Sequence, residues 1–134
     1  MSALATLVNP YSPQKFLAEI WTKQSVLLKT DYPDRFNSLF SWDTLNYLLN
    51  FHELDASMRL AVGGKVLDKL ENANFLEHCQ AGATLIIDRV HKLVPPLETF
   101  VADLRAEIGH PVQVNLYCSW LENQGFSRHY DTHD

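Results

Sequence analysis

The stretch NLYCSWLENQGFSRHYDTHD, residues 115–134, decides how the chain is read. Near its end, His129 and Asp131 flank a single residue. On an extended segment, residues two apart face the same way, roughly 6.5 to 7 Å from each other. Side chains converging from such positions can share one metal ion. An imidazole nitrogen and a carboxylate oxygen form a donor mixture suited to Fe(II). In a facial triad of two histidines and one carboxylate, three protein ligands occupy one face of the octahedron, and the other positions stay open for a cosubstrate and O2. A bare His-x-Asp also arises by chance, and a loop histidine is more often solvated than ligating. The pair therefore needs its context.

Just upstream, Pro111 to Trp120 (PVQVNLYCSW) alternates strictly. Val112, Val114, Leu116, Cys118 and Trp120 fall on one face of an expected strand. Gln113, Asn115, Tyr117 and Ser119 fall on the other. Solvent exposure explains a polar face most simply. A second reading gives Asn115 and Tyr117 a place in a pocket wall, because both combine hydrogen-bonding capacity with bulk.

Further upstream the periodicity changes from two to that of a helix. After Pro95-Pro96, residues Leu97, Phe100, Val101, Leu104 and Ile108 recur at spacings of three and four, and Gly109 marks a stop. Thr84 to Val90 (TLIIDRV) is an expected strand, as is Ser57 to Val62, closed by the Gly63-Gly64 turn pair. Asn72 is positioned to cap a helix reaching Ala81, with Gly82 ending it. Ser41 opens a helix that turns Leu45, Leu48 and Leu49 inward, and a shorter helix is expected after Pro33. Ser12-Pro13 is a helix entry, with Phe16, Leu17, Ile20 and Trp21 on one face. The β-leaning run Ser25 to Lys29 is expected to form a strand.

The composition sets outer bounds. The 134 residues suffice for one domain with a modest core, and 46% hydrophobic with 20% charged residues is ordinary for a globular chain. No run approaches the roughly 18 to 20 apolar residues of a membrane span. The first residues, MSALATLVNPYSP, lack the basic and apolar regions of a secretory signal, so a cytoplasmic location is the default. The net charge is -5 and the eleven basic residues are scattered, which disfavours direct nucleic-acid binding. Cys79 and Cys118 belong to no Cys-x-x-Cys pair and read as free thiols.

Taken together, Asn115-Leu116-Tyr117, Gln124-Gly125-Phe126 and His129-Tyr130-Asp131 resemble, in order and spacing, the JmjC-type, cupin-like family of Fe(II)/2-oxoglutarate oxygenases that includes the ribosomal oxygenases. Phe16 to Leu28 resembles that family's opening pattern, although Gln24-Ser25 stands where a proline is usual. Gly82-Ala83-Thr84-Leu85 resembles its strand-opening element.

The resemblance implies an α+β chain: a helix-rich region over 1–110 with mixed strands, then the first strands of a double-stranded β-helix (a cupin or JmjC jelly roll) over 111–134. Residues 1–134 would be the N-terminal part of one such domain. It further implies that His129 and Asp131 are iron ligands and that Asn115 and Tyr117 line the cosubstrate or substrate pocket. Fe(II) is the implied metal and 2-oxoglutarate the implied cosubstrate. The implied substrate is a protein side chain, of which a ribosomal protein is the family's example.

The family pattern also requires a third ligand, a histidine on a later strand, and a basic residue for the distal carboxylate of 2-oxoglutarate. Both are expected beyond Asp134, so the 134-residue chain is not expected to turn over alone. His133 is no substitute, because four residues along a strand separate it from His129 by roughly 13 Å. This also counts against a zinc site built from His129, Asp131 and His133. Open strand edges would be buried by self-association, as a homodimer. The competing reading is a non-catalytic binding or dimerisation module derived from the same fold.

Overall fold

The computed structural model describes residues 2–53, 57–67 and 75–120. They fall into two compact units, one drawn from 2–47 and 91–113, the other from 48–53, 57–67, 75–90 and 114–120.

In the first unit, α1 (Ala3–Val8) starts at Ser2, whose hydroxyl accepts the Ala5 N–H. Its first two N–H groups, from Ala3 and Leu4, find a second acceptor in the Glu107 carboxylate, at 2.8 and 3.3 Å. That carboxylate belongs to α5 (Pro95–Ile108), so α1 is tied to the later helix at the end where negative charge is favoured. Ala3, Leu4 and Val8 then pack with Leu104 in a cluster that Phe100, Ile108 and Val112 flank. Pro95 and Pro96 occupy the first turn of α5, where a missing N–H costs nothing. Gly109 ends the helix at φ +71°. Between these helices, α2 (Pro13–Glu19) is capped by Ser12, whose hydroxyl accepts the Lys15 N–H.

The helix α3 (Trp42–Phe51) follows Ser41, whose hydroxyl accepts the Thr44 N–H at 3.2 Å. Leu45 and Leu48 are buried and Leu49 is half-buried.

The second unit is built on a four-stranded antiparallel sheet, with β1 (Met58–Val62), β2 (Lys65–Val66), β3 (Thr84–Ile87) and β4 (Leu116–Ser119) in the order β2-β1-β3-β4. Gly63 and Gly64, at φ +56° and +84°, make the tight turn that pairs Val62 with Lys65. Positive φ at both central residues matches the twist of the flanking strands. β3 is central, and all four of its residues are buried. A strand shielded on both faces reads as a continuous apolar run, which is why TLII shows no alternation. The helix α4 (Phe75–Gln80) leads into β3 through a tight C-terminal motif: Ala83 N–H donates to His78 C=O and Gly82 N–H to Cys79 C=O. Gly82, at φ +101°, supplies the left-handed position that this motif requires.

Three expectations are corrected. Ser25 to Lys29 forms no strand: Val26 and Leu27 are exposed, Leu27 at 76%, and the run has no ladder partner among the described residues. After Pro33 the chain makes consecutive turns rather than a helix, with bonds such as Asn37 N–H to Asp34 C=O. The strand expected over 111–120 is regular only at Leu116–Ser119. The observed class is mixed helix and strand with a small antiparallel sheet.

Candidate cosubstrate and metal site

Of the four site residues read from the sequence, Asn115 and Tyr117 fall among the described residues, while His129 and Asp131 lie outside them. Tyr117 lies in β4, paired with Ile86 of β3, which in turn pairs with Arg59 of β1. Cross-strand partners share a face. Arg59, Ile86 and Tyr117 therefore form one row across the sheet, and Ala61, Thr84 and Ser119 form the next. The opposite face carries Leu60, Leu85 and Cys118, all buried.

The face that Tyr117 shares is the polar one. Thr84 and Ser119 hydroxyls lie 2.7 Å apart, joining β3 to β4 by side chains as well as backbone. Arg59 donates twice to Asp88, Nε to Oδ2 and a terminal nitrogen to Oδ1, both at 2.7 Å. That fork geometry fixes the guanidinium plane. The hydrogen bond to Asp88 holds the Arg59 guanidinium above its ordinary value against partial desolvation, and the charge of Asp88 and then Tyr117 add to it. Tyr117 is 54% exposed.

Asn115 precedes β4 and is half-buried. Its side-chain oxygen accepts the Arg89 N–H at 2.9 Å. Arg89 holds φ +52°, a conformation that disfavours residues with a Cβ, directly after the strand residue Ile87 and Asp88. Asn115 thus stabilises the turn that follows β3. Sequence reading did not find the Arg59–Asp88 pair. The two residues are 29 positions apart, and only the β1–β3 register brings them together.

Among the described residues no three His, Cys, Asp or Glu side chains gather as a group able to hold a metal ion. His91 is buried, and His110 faces the Trp21 ring at 6.2 Å.

What the site and fold define is a mixed α and β chain whose small antiparallel sheet presents one polar face ahead of a His-x-Asp segment. No family model matches the chain. Similarity to individual proteins is low in identity and long in reach. Ribosomal oxygenase 1 of Rattus norvegicus is 24% identical over 93% of this chain and 22% of its own length. The Homo sapiens protein of the same name is 24% identical over 93% of the chain and 21% of its length. Protein YxbC of Bacillus subtilis (strain 168) is 22% identical over 98% of the chain and 43% of its length. The chain thus spans about a fifth of the ribosomal oxygenases it matches.

Proposed function

We propose that the chain contributes the first part of a JmjC-type, cupin-like oxygenase domain, in which His129 and Asp131 bind Fe(II) and Tyr117 and Asn115 line the 2-oxoglutarate or substrate pocket. The observation that carries this reading is the likeness to ribosomal oxygenase 1 across 93% of the chain, in a sequence that carries His129-Tyr130-Asp131. When bound, Fe(II) with 2-oxoglutarate and O2 would supply hydroxylation of an unactivated C–H bond.

The chain's own residues have narrower tasks. His129 and Asp131 present two donors to one ion and leave other positions open. Tyr117, on the polar face of the sheet, offers a hydroxyl and an aromatic edge to a bound carboxylate or side chain. Asn115 offers its amide N–H while its oxygen stays on Arg89. The Arg59–Asp88 fork stiffens the same face. The reading requires a third ligand and a cation for the distal carboxylate in addition to these residues. The substrate is a protein side chain, with a ribosomal protein as the leading class.

The test is release of succinate from 2-oxoglutarate with Fe(II) and O2, using the longest polypeptide encoded in frame with residues 1–134. Turnover that disappears in His129→Ala supports the reading. Turnover that persists in both His129→Ala and Asp131→Ala removes it.

A further inference from the structure

A cleft of about 660 Å³ opens in the first unit, and its lining includes Thr6, Asn9, Asp31, Tyr32, Asp34 and Arg35. That volume lies within the usual range of ligand sites, and the walls are mainly apolar. Its two sides are fastened together. The Thr30 hydroxyl donates to the Asn9 side-chain oxygen at 2.7 Å, and Arg35 donates to the Asn9 carbonyl at 3.3 Å. The same Thr30 oxygen accepts the Tyr32 N–H at 3.1 Å, which fixes the backbone that displays Tyr32. The cleft is therefore preformed.

Its lining sets two carboxylates, Asp31 and Asp34, against one guanidinium, Arg35, an excess of one negative charge. The Arg35 guanidinium donates to the Asn9 carbonyl and lies over the Phe36 ring at 4.7 Å. Asp34 accepts from the Asn37 amide, which does not neutralise it. Asp31 has no ion pair among the described residues. Two carboxylates thus stand at an apolar cleft beside an aromatic ring that is 68% exposed. A planar cation satisfies all three features, since a guanidinium pairs with carboxylates in a fork and stacks on an aromatic face.

We propose that this cleft docks an arginine side chain from an extended segment of a protein partner, with Asp31 and Asp34 supplying the charge and Tyr32 the stacking surface. The excess of negative charge disfavours a nucleic acid as occupant. The proposal is independent of the iron site and needs no metal.

The test uses the 134-residue chain, isotope-labelled for NMR, and a capped peptide of alternating glycine and arginine. A control peptide carries glutamine in place of arginine. The expected result is saturable shifts of amides in 5–9 and 31–35. Affinity should drop at least threefold in Asp31→Asn and in Tyr32→Ala, and the glutamine peptide should fail to bind. Both positions are exposed, so the variants retain the fold, and unshifted amides in 95–108 verify this. No saturable binding of the arginine peptide overturns the proposal. So does equal binding of the glutamine peptide, or shifts that ignore both substitutions.

Discussion

Asn115 shows how one side chain can hold a turn from 26 positions away. Its oxygen holds the Arg89 N–H at a left-handed turn, and replacing it strands that donor at a partly accessible position. Asn115→Ala should therefore cost about 1 kcal/mol in urea unfolding, while Asn115→Asp, which keeps an acceptor, should stay near the parent value. An alanine variant as stable as the parent contradicts the structural part of this role.

The cysteines allow a pH statement. Both are free and buried. Burial pushes the Cys79 thiol up, with Cys118 adding to it, and burial does the same to Cys118. A raised folded value means that the unfolded chain releases these protons first. The thiols' contribution to stability is thus complete below the ordinary value of 9.0 and is lost as pH rises through the higher folded value. Unfolding midpoints measured from pH 8 to 10.5 should fall less steeply in a Cys79→Ala, Cys118→Ala double variant. Identical slopes would falsify the assignment.

Among the elements, those with a mechanism written in a few adjacent residues were the legible ones. Ser12-Pro13 and Ser41 start helices through their own hydroxyls, and Gly109 stops one through its own backbone. Gly109→Ala tests this economy. Open space surrounds the added methyl, so the cost is conformational alone, about 1 kcal/mol by thermal or urea unfolding. A neutral result would place the helix stop elsewhere.

Elements that depend on distant partners were hidden. α1 is only six residues long, and its start is completed by Glu107, 104 positions away. Ser25 to Lys29 has strand-like composition but gains no ladder. The alternation over 111–120 predicts a longer strand than the four residues that β3 can pair. The polar face was legible as Tyr117 and Ser119, yet its Arg59–Asp88 fork was not, because register is a tertiary property.

For the chain as an assembly, the sheet order leaves β2 and β4 outermost among the described strands. Outer strands carry main-chain groups able to pair with another chain. We expect self-association at high concentration, with light scattering reporting the mass of a dimer. A strictly monomeric species across the concentration range contradicts that expectation. Among the described residues no helix is long and apolar enough to cross a membrane.

The reading of His129 and Asp131 as two ligands for one ion can be examined on the 134-residue chain itself. Paramagnetic Mn(II), standing in for Fe(II), broadens resonances near its binding site even when affinity is weak. Titrated against the labelled chain, it should broaden the signals of His129, Asp131 and Tyr117 first, and His129→Ala should abolish that selectivity. Broadening that begins at other carboxylates, and stays unchanged when His129 is replaced, would contradict the account.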